Sequence, residues 1–255
     1  TNMSNHTAER VSVNEINNYV LQRSIKAYLE AKSLVKGKTL EIGTGSGYGI
    51  EIISPVVDKL TTVDQFICDI DFSHFNNVEF IKMTVPKLNF PDESFDAVFS
   101  FQVIEHIEDD KEFLSEISRV LKPGGVFICT TPNIKTSLSR NPWHVREYTS
   151  EELNHLMLNY FSSVDTKGVF CGEKAFEYYL ENKKNVNRIM RFDIFNLQYR
   201  LPRKSLQWIF DFLNDRNRKK MHKENNSISA NMTPEDYFLK EVADDCIDLF
   251  YVGTK

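Results

Sequence analysis

A glycine-rich segment directly after an apolar run is the feature that most constrains the fold. Residues 40–49 read LEIGTGSGYG, and KTLEIG (38–43) predicts a short buried strand. Glycines between a strand and a helix let backbone N–H groups approach a ligand closely, because no Cβ intervenes. A purely structural turn is the alternative interpretation of the same glycines. A helix can open at Gly47, and Pro55 indicates that this helix is short.

Strand-like and helix-like segments alternate along the rest of the first 170 residues. Strands are predicted at 60–64, 78–83, 95–101, 126–131 and 162–170, and helices at 13–33, 108–121 and 149–161. CIDLFYVGTK (246–255) predicts a closing strand. Alternation of this kind is typical of a parallel sheet with helices on both faces.

The register of the glycines argues against two common nucleotide loops. A dinucleotide fingerprint, G-x-G-x-x-G, would need its third glycine at residue 48 or residue 50, and these are Tyr48 and Ile50. A Walker loop needs a Lys after the glycines, and none follows. What remains is E-x-G-x-G-x-G, from Glu41 to Gly47.

This motif resembles the first motif of class I S-adenosylmethionine-dependent methyltransferases, and three later segments extend the resemblance in order. They are Asp64, NFPDESFDAVFSFQVIEHIED (89–109) and RVLKPGGVFICTTPN (119–133), which are similar to the family that includes ubiquinone-pathway O-methyltransferases. The resemblance implies an α/β fold: a doubly wound, Rossmann-like, seven-stranded and mainly parallel sheet with an antiparallel last strand. It also implies S-adenosyl-L-methionine as the cofactor and S-adenosyl-L-homocysteine as the product.

The resemblance also implies roles for individual residues. Glu41 would hold the methionine amino group, Asp64 the ribose diol, and Gln65 would flank adenine. The remaining residues implied to line the cofactor are Gly43, Thr44, Gly45, Gly47, Phe101 and Gln102. Relatives often have an acid after the third strand that contacts adenine, whereas this chain has Thr84, so the Thr84 hydroxyl or the backbone near Val85 would take that role.

Two histidines are candidates for a catalytic base. His106 follows the fourth strand, at the carboxyl edge of the sheet where ligands bind in doubly wound folds, and a purely structural role is its alternative. NPWHVREYTSEEL (141–153) resembles a segment that follows the fifth strand in bacterial relatives, and it supplies His144 as the second candidate. Trp143, Arg146 and Tyr148 would contact the substrate, although Arg146 could equally anchor the next helix.

A basic and aromatic stretch lies before the last strand. Residues 183–223 contain twelve Lys or Arg against three Asp, a local charge of +9 in a chain of net charge −5. Aromatic residues at 192, 195, 199, 208, 210 and 212 are interleaved with these cations. Three interpretations stay open: a helical lid with a solvated face, a pocket for an anionic or aromatic small molecule, and an RNA-binding surface.

Composition bounds the remaining expectations. The four cysteines are scattered without a C-x-x-C pair, which predicts neither a disulfide framework nor a metal site and favours a reduced, cytoplasmic protein. No apolar run approaches the ~18 residues of a membrane span. We expect no metal, no membrane partner, nucleic acid binding to be unfavoured, and a monomer or homodimer.

Three parts of the chain are predicted. These are an N-terminal helical cap (1–36), a cofactor-binding core (37–172 with 241–255) and a helical insertion for substrate recognition (173–240). The expected function is methyl transfer to an oxygen or nitrogen of a small molecule. An RNA methyltransferase and a non-catalytic cofactor-binding partner subunit are the alternatives.

Overall fold

One eight-stranded sheet forms the centre of the computed structural model, which describes residues 17–191, 202–224 and 229–255. The strand order is β3-β2-β1-β4-β5-β8-β6-β7. The strands are β1 (Lys38–Ile42), β2 (Lys59–Asp64), β3 (Val78–Lys82), β4 (Phe95–Phe101), β5 (Leu121–Pro132), β6 (Ser163–Cys171), β7 (Tyr237–Glu241) and β8 (Asp248–Thr254).

The sheet has a parallel half and an antiparallel half. Strands β1 to β5 pair in parallel, and β8 enters antiparallel between β5 and β6, which confirms the predicted direction of the last strand. The predicted count of seven strands is one short, because β7 pairs antiparallel with β6 at the edge. Residues 237–240 of β7 belong to the predicted helical insertion, which is therefore wrong at this point. Only Tyr237 of β7 is buried, so the strand shows little of the apolar alternation that reveals strands.

Six described helices surround the sheet: α1 (Asn18–Ala31), α2 (Ile50–Ile53), α3 (Asp110–Val120), α4 (Ser150–Met157), α5 (Glu173–Met190) and α6 (Arg203–Glu224). Their beginnings follow local chemistry. Asp109 accepts a hydrogen bond from the Glu112 N–H at the start of α3, and Thr149 forms a reciprocal capping box with Glu152 at the start of α4. The predicted shortness of the helix near Pro55 is also observed, since α2 passes into a 3₁₀ turn at Ser54–Val56.

Apolar side chains cover both faces of the sheet. On one face α3 and α4 pack against β1, β4 and β5 through a set that includes Phe113, Ile117, Leu153 and Phe127. On the other face α1, α2 and α5 pack through a set that includes Tyr28, Ile50, Ala175 and Phe99. The predicted doubly wound architecture is therefore confirmed, apart from the number of strands. Within the described segments, no helix combines the length and apolarity needed to cross a bilayer.

Truncating a ring at the centre of the sheet should destabilise the fold strongly. Phe127 on β5 is fully buried and stacks on Phe161 with the ring centroids 5.6 Å apart. We expect Phe127→Ala to lower the free energy of unfolding by about 3–5 kcal/mol, through lost burial and the cavity left behind. Urea denaturation measures this change.

The matched control is Phe238→Ala on the edge strand β7. This ring is also stacked, on Phe170, but it is 42% exposed. Its loss should cost less than half as much as that of Phe127. Equal losses of stability for the two variants would show that Phe127 is no more buried than Phe238 in the folded protein.

Candidate active site

The glycine loop joins the carboxyl end of β1 to α2. Gly43, Gly45 and Gly47 have φ values of 97°, 55° and 75°, in the left-handed region that favours glycine. The N–H groups of Gly43 and Thr44 both donate to the Val63 carbonyl on β2, at 2.8 and 3.2 Å. The loop is therefore held against the end of the neighbouring strand.

The surroundings of the glycines show which side of the loop is open. A Cβ on Gly47 would lie 1.6 Å from Ile70 Cδ1, so this glycine faces a packed side chain. A Cβ on Gly45 would meet nothing within 4 Å. The backbone at Gly45 therefore borders open space, which fits the close approach of a ligand that the sequence predicted for Gly43 to Gly45.

Asp64 lies at the end of β2, directly beside this opening. Its Oδ2 accepts from the Gly45 N–H and its Oδ1 from the Phe66 N–H, both at 2.9 Å. A carboxylate has about four acceptor positions, so each oxygen can still accept a hydroxyl such as that of a ribose. Gln65 is exposed next to it, and Thr84 is exposed where the Met83 N–H donates to the Asp64 carbonyl.

Glu41 lies beneath the loop, at 1% exposure. Tyr28 Oη donates to Oε1 at 2.7 Å, and Thr62 Oγ1 donates to Oε2 at 2.5 Å. Burial raises the pKa of Glu41 to about 7, against the lowering effect of the two hydroxyl donors. Neither partner was predicted from the sequence. Thr62 stands two residues before Asp64 on β2, whereas no sequence signal pointed to Tyr28 on α1.

The end of β4 brings two more predicted residues to the same edge. Phe101 is partly buried, and its ring packs edge-on against Tyr28 with the centroids 4.9 Å apart. Gln102 has a φ of 56°, a strained value for a residue other than glycine, and its N–H donates to the Thr130 carbonyl. Phe101 therefore lies beside the tyrosine that contacts Glu41, whereas the Gln102 side chain donates to Thr130 Oγ1 at 3.3 Å. Val85, which is partly buried, follows β3.

His106 and His144, the two candidate bases, come together with Glu105. Their ring centroids are 5.0 Å apart in an edge-to-face arrangement. Glu105 is 1% exposed, and burial raises the pKa of its carboxyl against the neighbouring histidines. His144 Nδ1 hydrogen-bonds Glu147 Oε1 at 2.7 Å, so a carboxylate orients this imidazole.

The three predicted substrate residues mainly anchor neighbouring elements. Trp143 Nε1 donates to Asp211 on α6 at 2.9 Å. Arg146 donates to Asp110 Oδ2 and to the Glu108 carbonyl, and the buried Tyr148 hydroxyl also donates to Asp110. Arg146 therefore anchors the start of α3, whereas the alternative interpretation named the helix that follows Arg146, which is α4.

A cavity of about 320 Å³ opens at the carboxyl edge of β5, between α1, α5 and α6. Its polar lining includes Arg23, His144, Tyr178, Tyr179 and Asp248. Arg23 Nε lies 3.1 Å from Asp248 Oδ2, while the buried Asp248 Oδ1 has no hydrogen-bond partner among the described residues. Sequence reasoning did not find this ion pair, because its members come from opposite ends of the chain.

The raised pKa of Glu41 should appear in the pH dependence of stability. Between pH 4.5 and 7 the folded protein holds a proton on Glu41 that the unfolded chain has released, so stability falls as the pH rises through this window. We expect the free energy of unfolding to drop by up to about 3 kcal/mol more in the wild type than in Glu41→Gln. Urea denaturation at pH 5 and pH 8 measures the difference.

The comparison uses the change in the free energy of unfolding with pH and not its absolute value, because Glu41→Gln also changes the hydrogen bonds. A wild type and Glu41→Gln with the same slope would show that Glu41 titrates near its ordinary value.

Comparisons with known proteins agree with this geometry. The family model described as "Methyltransferase domain" matches residues 40–129. A probable S-adenosylmethionine-dependent methyltransferase of Mycolicibacterium smegmatis is 37% identical over 164 residues, which cover 61% of this chain and 64% of that relative. One from Mycobacterium tuberculosis is 34% identical over 169 residues, covering 63% and 62%. The chain thus spans less than two thirds of either relative.

A solved structure shows the same fold. It is a S-adenosylmethionine-dependent methyltransferase of Thermotoga maritima, described as a possible histamine N-methyltransferase, with a TM-score of 0.58 at 19% identity over 97% of both chains. Residues 40–129 therefore match a methyltransferase domain, and the chain is similar to S-adenosylmethionine-dependent methyltransferases, as the motifs of its sequence predicted.

Proposed function

We propose that the protein transfers a methyl group from S-adenosylmethionine to an oxygen or nitrogen of a small-molecule acceptor bound in the cavity beside β5. The observation that carries the proposal is the opening at Gly45 beside Asp64, in a chain homologous to methyltransferases. The bound cofactor supplies an already activated methyl group. The protein's own task is to align the acceptor and to exclude water.

The proposed cofactor contacts follow from the loop geometry. The Gly45 backbone and the Asp64 carboxylate border one opening, and Gln65 and Thr84 are exposed beside it. Glu41 lies deeper, where a cationic amino group would relieve the cost of burying its charge. These are the roles that the family resemblance implied for the same residues.

The cavity suits a small polar acceptor. Its volume of about 320 Å³ lies at the lower end of the range for small-molecule sites. Asp248 Oδ1 offers a buried acceptor for a ligand hydroxyl or ammonium group, and Arg23 and Arg218 offer cations for an anionic group. His144 also lines this cavity, whereas Trp143, Arg146 and Tyr148 do not belong to its lining.

The contacts of the insertion favour a helical lid over an RNA-binding surface. Several of its cations already have partners within the fold: Lys219 pairs with Asp215, Lys220 donates to Asn185, and Arg218 donates to Asn17. Phe210 lines the cavity, while Trp208 and Phe212 stack on each other at the surface. The aromatic residues at 192, 195 and 199 lie outside the described residues.

Cofactor binding should depend on Asp64. We expect saturable binding of S-adenosylmethionine and S-adenosylhomocysteine but not of NAD, and Asp64→Ala should weaken both at least about tenfold, or ~1.4 kcal/mol. The variant loses the acceptor for the ribose and the hydrogen bond that holds Gly45. Calorimetric titration measures the dissociation constants.

Asp69→Ala, at an exposed acid in the segment after β2, is the matched control and should bind like the wild type. Absence of binding by both sulfur ligands would refute the enzymatic proposal. Binding without transfer to any acceptor in a broad screen for S-adenosylhomocysteine release would favour the non-catalytic alternative.

Filling the cavity should block the acceptor and spare the cofactor. Val186 lies on α5 in the cavity lining. For an acceptor found in that screen, Val186→Trp should raise KM at least about tenfold, while the affinity for S-adenosylmethionine stays unchanged. Leu180→Trp, on the exposed side of the same helix, should leave both constants unchanged. An unchanged KM in Val186→Trp would place the acceptor elsewhere.

A further inference from the structure

We propose that Glu105, His106 and His144 form a binding site for one divalent transition-metal ion. Among the described residues, these three side chains place one ligand atom each within 4.8 Å of one another. The scattered cysteines predict no metal site, but their spacing says nothing about these three residues. Glu105 and His106 follow β4, whereas His144 lies on the loop after β5, so the fold alone brings the three together.

The distances are close to those of a formed site. Three atoms within 4.8 Å of one another can surround an ion at no more than about 2.8 Å from each. Bonds from Zn²⁺ to imidazole nitrogen and carboxylate oxygen measure about 2.0–2.2 Å. Shifts of less than about 1 Å in each side chain would therefore complete the coordination.

The two carboxylate oxygens of Glu105 differ in their surroundings. Its Oε2 accepts from Thr131 Oγ1 at 3.0 Å, while the buried Oε1 has no hydrogen-bond partner among the described residues. A buried carboxylate oxygen without a donor carries a desolvation cost that a cation would offset. The backbone of Glu105 is fixed as well, because its carbonyl accepts the N–H groups of Val145 and Arg146.

The hydrogen-bond partners of the two imidazoles determine which ring nitrogen carries the proton. His106 Nδ1 lies 3.1 Å from the Trp143 carbonyl, and His144 Nδ1 lies 2.7 Å from Glu147 Oε1. Both partners only accept, so each Nδ1 carries the proton and the neutral ring has its lone pair on Nε2. Metal-ligating histidines in proteins usually donate their other N–H to a carboxylate or a backbone carbonyl in this way.

At His144, the contact with Asn141 would have to yield to the ion. His144 Nε2 lies 2.9 Å from Asn141 Nδ2, and a bound metal would take the place of that amide. Glu147, which orients His144, is itself held by the Ser137 hydroxyl. The imidazole can therefore keep its orientation when Asn141 moves away.

The ligand set selects the class of ion. Two imidazoles and one carboxylate suit Zn²⁺, Mn²⁺, Fe²⁺ and Co²⁺, and they suit the harder Ca²⁺ and Mg²⁺ less well. Three protein ligands leave coordination positions open, as in sites that bind an exogenous oxygen. His144 also lines the acceptor cavity, so an ion here would lie next to the acceptor and would give both histidines the role of ligands instead of bases.

Metal binding can be measured without cofactor or acceptor. The full chain, with any affinity tag removed and after dialysis against EDTA, is titrated calorimetrically with MnCl₂ and ZnCl₂, and the Co²⁺ form is examined by visible absorption. We expect one ion per chain. His106→Ala, His144→Ala and Glu105→Gln should each raise the dissociation constant at least about tenfold and change the Co²⁺ spectrum.

His74→Ala is the matched control, because this exposed histidine lies outside the cluster, and its titration should equal that of the wild type. Circular dichroism checks that each variant folds, and His144→Gln replaces His144→Ala if the latter does not. A wild type that binds no ion, or folded cluster variants that bind like the wild type, would overturn the proposal. The result is independent of methyl transfer, since cofactor binding is measured separately.

Discussion

The buried carboxylate of Glu41 is the group on which the cofactor side of the structure depends. An ion at this depth is costly, so it requires donors that are fixed in place. Thr62 uses its only proton on Glu41, so the hydroxyl of Thr44, 2.6 Å away, must donate to Thr62. The chain from Thr44 through Thr62 to Glu41 therefore ties the glycine loop to β2 and β1 through side chains alone.

Tyr28 extends the same network to α1. Its hydroxyl donates to Glu41, and its ring packs edge-on against Tyr48, Phe99 and Phe101. The ring also explains Gly49, where a Cβ would lie 2.0 Å from the Tyr28 ring. One side chain thus sets the position of the first helix, the end of the loop and the end of β4. These elements therefore share one packing contact next to the proposed cofactor opening.

Local chemistry made much of this predictable from the sequence. The glycines, Asp64 and the apolar strands are each readable within a few residues, and parallel strands bring their carboxyl ends to one edge. The role of Tyr28 could not be predicted, since its partner Glu41 lies on another element and a tyrosine in a helix usually belongs to the hydrophobic core. β7 was missed because an edge strand buries few side chains. The pairing of Arg23 with Asp248 is set by tertiary structure, and no spacing rule reports it.

The family match covers residues that were predicted to bind the cofactor, but it covers no residue of the cavity proposed for the acceptor. Residues 40–129, which match the methyltransferase domain, hold the glycine loop, Asp64 and the end of β4. Every residue that lines the cavity proposed for the acceptor lies outside this range, on or next to α1, on α5 and α6, at the end of β5, in the loop after it, and at or just before the start of β8. Contacts between distant segments, such as Trp143 with Asp211 and Asn182 with Asn217, close these parts around the cavity. In the proposed function, acceptor choice depends on the packing of the insertion on the core and not on the motifs that match the domain.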